Sequence, residues 1–136
     1  METMDFTALY ERAKAVTGHR QLSAYTDVGG VGAAILTKSG HIYVGVNIDT
    51  ACSMGFCAEH AAAAAMITAG ENEIAAVIAV DENGVVVPPC GRCRQMLVQL
   101  ADGNEEAQVM VEQGVVYTLG QLLPFDWRVA HPHEEG

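Results

Sequence analysis

Apolar residues at positions 6, 9, 10, 13 and 16 recur at intervals of three and four. That spacing predicts an amphipathic helix over 5–17, whose stripe of Phe6, Leu9, Tyr10, Ala13 and Val16 faces a core. Gly18 closes it, and a polar segment leads to a turn at Gly29-Gly30. The pattern then changes to short apolar runs of strand type. Residues 31–37 form one, Ser39-Gly40 reverses the chain, and 42–46 answers as the second strand of a hairpin. Residues 57–69 read as a helix, with alanines at 61–65 suited to close packing against a neighbour. A strand over 74–81 follows, then a turn at Glu82-Asn83-Gly84 and a short extended piece over 85–87 that runs into Pro88-Pro89. The remainder reads as a helix over 90–101, strands over 108–112 and 115–118 around Gln113-Gly114, and a short helix near 120–123. Helices interleaved with strands predict an α/β fold of three layers, α-β-α, on a five-stranded mixed sheet.

Composition narrows what such a domain can do. The 136 residues suit a single domain over 1–128, with 129–136 expected to be a disordered acidic tail. No apolar run approaches the ~18 residues of a membrane span, and the acidic first residues do not resemble a secretory leader. The formal net charge is -10 with only seven Lys and Arg, of which Arg92 and Arg94 alone stand close together. A polynucleotide partner needs a basic patch, so none is expected. The charge suits a small neutral or cationic substrate better than a phosphorylated one. The glycines near Gly29 do not make a dinucleotide fingerprint. Four cysteines, three of them at metal-ligand spacing, point to a reducing compartment and a cytoplasmic location over a disulfide framework.

Two short stretches carry the chemistry: Cys57-Ala58-Glu59-His60 and Pro89-Cys90-Gly91-Arg92-Cys93. Each stands directly before or within the start of an expected helix. Cys90 and Cys93 are three apart, so their sulfurs share one face and can address one ion. Glu59, two residues beyond Cys57, is rotated away from the Cys57 direction and can sit beside a metal without ligating it. Helix starts offer unpaired N–H groups and a positive dipole end, which favour thiolates. Three thiols with one free carboxylate are the composition of a catalytic zinc site with an open fourth position, one ion per subunit.

The C-A-E stretch, followed some thirty residues later by P-C-x-x-C and continuing Arg94-Gln95, resembles the zinc-dependent cytidine deaminase superfamily. Val31-Gly32-Ala33-Ala34, Gly45-Val46-Asn47 and Leu122-Leu123-Pro124 extend the resemblance to roughly residues 20–127. It implies the same three-layer fold and hydrolytic removal of an exocyclic amine from a free aminopyrimidine nucleoside, as in pyrimidine salvage. Glu59 is then the implied carrier of protons from water to the ring nitrogen and on to ammonia, with Cys57, Cys90 and Cys93 holding zinc. The implied substrate contacts are the Ala58 N–H to the pyrimidine oxygen, Asn47 and Asp49 to ribose hydroxyls, and Trp127 reaching a neighbouring subunit's site in a homotetramer.

Departures from the family pattern bear on substrate. Gly29 stands where an aromatic is usual, Asp49 is a shortened acid, and the segment from Asn47 to Cys57 is one residue short. His60 replaces an arginine that helps offset the thiolates, leaving Arg92 or Arg94 to compensate. The missing aromatic and the missing arginine lean toward the blasticidin S deaminase relatives, which share P-C-G-R-C-R-Q. Plainer readings stand beside each assignment. Glu59 can be a solvated first-turn acid, Asn47 and Asp49 turn residues, Trp127 a core or rim side chain, and Cys52 a small hydrophobe. A different class of function is a zinc-stabilised nucleoside-binding domain without turnover, in which Cys52 closes a structural four-cysteine site.

Overall fold

The structure, a computed structural model, describes residues 2–132. Helix α1, Thr7–Ala15, begins where the Asp5 carboxylate accepts hydrogen bonds from the Thr7 N–H and Oγ1 at 2.9 and 2.7 Å. Six strands follow as β1 Arg20–Ser23, β2 Thr26–Thr37, β3 Ile42–Thr50, β4 Ile74–Asp81, β5 Gln108–Glu112 and β6 Val115–Thr118. Helix α2, Ala58–Thr68, connects β3 to β4, and α3, Gly91–Gln99, connects β4 to β5.

The long β2 organises the sheet. One of its edges carries β3 as an antiparallel hairpin with Ala34 opposite Val44, and the other carries first β1 and then β4. The β4–β5 pair is parallel, with α3 in its crossover, and β6 folds back antiparallel on β5. The sheet is therefore mixed, as expected, with six strands in place of five. The additional strand is β1, drawn from the segment that reads as a polar connection. All four of its residues are exposed, so no alternation of apolar and polar positions marks it; its backbone pairs with an extension of β2 that begins five residues before the apolar run.

Helices cover both faces. On one, α1 packs Phe6, Leu9 and Ala13 against Ala34, Ile78 and Val80. On the other, α2 and α3 pack Ala62, Met66, Leu97 and Val98 against Ala33, Ile35, Val77 and Val109. Gly45 sets the second layer's distance. A Cβ there would lie 2.4 Å from the Ala62 nitrogen and 2.5 Å from the Ala61 Cβ, so helix backbone rests directly on the hairpin and the start of α2 is brought to one end of the sheet.

The expected helices and strands are present with shifted ends. The first helix is shorter than 5–17, β2 starts well before residue 31 and β3 runs on to Thr50. Residues 85–87 contribute only an isolated bridge between Val80 and Val86. Near 120–123 the chain makes hydrogen-bonded turns, Leu122 N–H to Leu119 O at 3.1 Å and Leu123 N–H to Gly120 O at 3.2 Å, and no helix. Trp127–Val129 forms a single 3-10 turn in which the Asp126 carboxylate accepts from the Arg128 N–H at 2.8 Å. Of the stretch read as a tail, residues 133–136 lie outside the described residues. No helix among the described residues is long and apolar enough to cross a membrane.

Candidate active site

The starts of α2 and α3 are built alike. Cys57 caps α2 with φ -71° and ψ 160°, and Cys90 caps α3 with φ -70° and ψ 167°. In both cases an extended residue hands the chain directly to the first helical turn, whose N–H groups have no partner further back in the helix. Cys93, one turn into α3, is fully buried. The Cys57 and Cys90 sulfurs are 3.6 Å apart, those of Cys90 and Cys93 are 3.4 Å apart, and all three lie within 4.8 Å of one another. Tetrahedral zinc with Zn–S bonds of ~2.3 Å requires sulfurs separated by about 3.8 Å. The three thiols therefore fit one zinc ion.

Without a cation, this cluster is electrostatically unfavourable. Burial, then the Glu59 charge, pushes the Cys93 thiol far above its ordinary range. Burial and the Cys90 sulfur raise Cys57. Cys90 is also penalised by burial, yet hydrogen bonds from the Cys93 backbone and from both neighbouring sulfurs leave it lowered overall. Three sulfurs held together against this penalty are what a dication stabilises.

Glu59, 4% exposed, lines a cavity of about 660 Å³ together with Cys57, Ala58 and Cys90. Burial raises its carboxyl pKa, opposed in part by its own backbone N–H and by the Cys93 thiol. A carboxylate reluctant to ionise and set beside a metal cluster is suited to taking up and releasing a proton. Asn47 and Asp49 line the same cavity, two apart on β3 and so on one face of the strand. The Asn47 Oδ1 accepts from the Val31 N–H at 2.9 Å, and its Nδ2 donates to Asp49 Oδ2 at 2.9 Å. The cavity thus has a thiol-rich floor and an amide–carboxylate wall.

Comparison with known proteins agrees with this geometry. The sequence model for the cytidine and deoxycytidylate deaminase zinc-binding region matches residues 7–109. The chain is 36% identical over 98 residues to a cytidine deaminase of Halalkalibacterium halodurans, covering 69% of this chain and 74% of that protein. It is 30% identical over 109 residues to a blasticidin-S deaminase of Bacillus cereus, covering 71% of this chain and 76% of that protein. The crystal structure of cytidine deaminase from Mycobacterium tuberculosis superposes with a TM-score of 0.77 at 30% identity, covering 92% of this chain and 98% of that one. The chain belongs to the cytidine and deoxycytidylate deaminase family. Its members are zinc-dependent hydrolytic enzymes.

Within this deaminase, seven of the eight residues singled out from the sequence face one cavity or one metal cluster. Cys57, Cys90 and Cys93 form the cluster, and Asn47, Asp49, Ala58 and Glu59 line the cavity around it. Trp127 is apart. It is 57% exposed, its backbone N–H donates to Gln95 Oε1 at 3.0 Å, and its ring stacks on His131 at 4.0 Å. Cys52 is exposed, with φ 65°, and does not join the three sulfurs. The four-cysteine reading therefore lacks its last ligand.

The departures from the family pattern acquire physical reasons here. Gly29 has φ 86°, and a Cβ on it would lie 2.2 Å from the Gly18 oxygen, so no aromatic can occupy it without moving the segment before β1. Arg94 is committed elsewhere: its Nε donates to Pro89 O at 2.8 Å and its Nη1 to Leu122 O at 3.0 Å. Arg92 lines the cavity. Phe56, Val31 and Pro88 also line it and escape the sequence reading. An aromatic directly before the C-A-E stretch was the available signal for Phe56; Val31 and Pro88 carry none, since they read as core strand and loop.

Proposed function

We propose that this deaminase hydrolyses the exocyclic amine of free cytosine nucleosides, giving the uracil form and ammonia. The observation that carries the reading is the buried Glu59 carboxylate, which lines one cavity with Cys57 and Cys90, two of the three sulfurs spaced for zinc. When bound by Cys57, Cys90 and Cys93, zinc supplies Lewis acidity that lowers the pKa of a water toward neutrality. Glu59 takes the proton from that water as its oxygen bonds to the ring carbon carrying the amine. It delivers that proton to the adjacent ring nitrogen, then takes the second proton from the new hydroxyl and passes it to the amine, which departs as ammonia. Its pKa, raised by burial, suits a carboxyl that alternates between base and acid.

The remaining residues bind and orient. Ala58 is the first residue of α2, where an amide N–H has no partner within the helix, and it lines the cavity; it donates to the pyrimidine oxygen. Asn47, fixed by Val31, aims the Asp49 carboxylate, which accepts from a sugar hydroxyl. Trp127, exposed and outside its own chain's cavity, packs at the site of a neighbouring subunit in a homotetramer. The three-thiol zinc set fits a reducing, cytoplasmic setting.

A second substrate reading has support of its own. Asp49 is an exposed carboxylate beside the cavity, the protein carries a net charge of -10, and one of its relatives is named a blasticidin-S deaminase. A cytosine nucleoside with a cationic substituent, such as blasticidin S, is therefore accepted as well as plain cytidine or deoxycytidine, and phosphorylated nucleosides are disfavoured. A binding-only role fits poorly with a carboxylate buried in the cavity floor.

The test is ammonia release by zinc-loaded protein over cytidine, deoxycytidine, cytosine, deoxycytidylate and blasticidin S, with Glu59→Ala as the blank. Release from nucleosides but not from deoxycytidylate, lost in the variant, is the expected outcome. Stoichiometric zinc with no release from any of the five compounds would sink the proposal in favour of the binding role.

A further inference from the structure

In the first α2 turn Ala58 and Glu59 line the cavity and Ala61 lies against Gly45, whereas His60 reaches across to α3. Its Nδ1 lies 3.3 Å from the Cys93 sulfur, across the junction between α2 and α3. Its ring stacks on Phe56, with centroids 6.3 Å apart and planes inclined by 27°. Phe56 is itself fixed by a pair of backbone hydrogen bonds with Ile48, both 2.9 Å. The imidazole is thus held from behind by a cavity-wall aromatic and aimed in front at a fully buried sulfur. A thiolate is a hydrogen-bond acceptor only, so a ring nitrogen at this distance satisfies it by carrying the proton. The alternative, Nδ1 unprotonated, sets a lone pair against an anionic sulfur.

We propose that His60 is a positioning residue for the zinc site, which donates an Nδ1–H hydrogen bond to the Cys93 thiolate and thereby offsets the charge of the three-sulfur set. The bond exists in the Nδ1–H tautomer and in the doubly protonated ring alike, so it does not depend on the ring's charge. It ties the ligand from α3 to the helix that supplies Cys57 and Glu59, by a direct contact that Arg94, committed to Pro89 and Leu122, does not make. Partners of metal ligands typically tune affinity on the order of ten- to a hundredfold. The inference rests on the zinc-site reading and is independent of which nucleoside is the substrate.

Two experiments decide it. In the zinc-loaded wild-type protein, nitrogen-15 NMR of the imidazole reads the protonation of each ring nitrogen of His60. A protonated Nδ1 is expected, and the Nε2–H tautomer with bare Nδ1 would overturn the proposal without any variant being made. In parallel, zinc affinity is measured by competition with a chromophoric chelator, and the thiolate-to-metal charge-transfer band is recorded after cobalt loading. His60→Leu, which fills the space without a donor, should weaken zinc about ten- to a hundredfold and move the cobalt band to longer wavelength. His60→Asn, whose amide can donate to the same sulfur, should recover most of both. Wild-type affinity and band in His60→Leu, or an Asn variant that is folded yet no better than Leu, would leave His60 a packing residue only. Absence of stoichiometric zinc in the wild type would sink the site reading itself, whereas absence of nucleoside turnover would sink the proposed substrate and leave the His60 result standing.

Discussion

At its inner end the cavity rests on Ala58 and Glu59, both buried at the start of α2, beside the thiol cluster that includes the buried Cys93 of α3. At its outer end it rests on Asp49, Thr50 and Ser53, where the chain leaves β3 and both Cys52 and Ser53 take left-handed backbone, φ 65° and 57°. The inner residues are each fixed by several elements at once, because α2 lies against β3 at Gly45 and meets α3 at the thiol cluster. The outer residues are fixed mainly by the pairing of Thr26 with Thr50 and of Ile48 with Phe56. A deaminase built this way can hold its chemistry constant while its rim changes, since a substitution at the rim does not reach the packed layer beneath.

The strongest way to break the contrast is at the floor. Cys93→Ala removes a fully buried ligand, so stoichiometric zinc, measured by metal analysis, and ammonia release should both be lost. The melting temperature should also stop responding to added zinc, because binding to the folded state alone is what supplies that stabilisation. Retained stoichiometric zinc would mean that another group completes the site.

Glu59→Gln is next in size and separates chemistry from metal binding. Turnover should fall by about 10²- to 10⁴-fold with zinc content unchanged. The same variant carries a pH signature in metal-free protein. Burial raises the Glu59 pKa, so the folded state binds its proton more tightly than the unfolded chain does. Its contribution to stability is full below the ordinary carboxyl range and is lost as pH rises through the elevated value. Denaturant titrations should therefore show Gln and Glu proteins equal in the acid range, and the Gln protein gaining relative stability as pH rises toward neutrality. Equal pH profiles throughout would show that the carboxylate is better solvated than its burial indicates.

At the rim the effects should be smaller and confined to binding. Asp49→Ala is expected to raise KM for ribonucleosides about tenfold, the scale of one hydrogen bond to a charged group, with kcat little changed. A collapse of kcat would place Asp49 in the chemistry and erase the contrast. Smallest of all, Cys52→Gly should leave zinc content unchanged and alter stability by about 0.5 kcal/mol or less, since glycine accepts the left-handed backbone that cysteine adopts there. Loss of zinc in that variant would restore Cys52 as a ligand.

Much of this was legible in the chain before any coordinates. Ala61 to Ala65 announced a helix that packs closely, and the Gly45 contact shows what it packs on. The two cysteine stretches announced a shared ion, and their sulfurs do converge. What escaped were features without a periodic or compositional mark. Strand β1 is polar and wholly exposed. Phe56 and Pro88 are ordinary loop residues until the fold turns them toward the cavity. His60 read as a missing arginine, and only the distance to Cys93 gave it a partner.

The sequence by itself determined the layer order, the ligand set and the carboxylate beside it. Those depend on spacing within a turn of helix or along a strand, which local backbone geometry converts into direction. Tertiary structure alone decided that Asn47 spends its amide on Val31 and Asp49, that Arg94 is tied to Pro89 and Leu122, and that Cys52 stands clear of the three-sulfur cluster. Each of these is a competition among partners far apart in the chain, and its outcome is set by which atoms the packed layers bring within hydrogen-bonding reach.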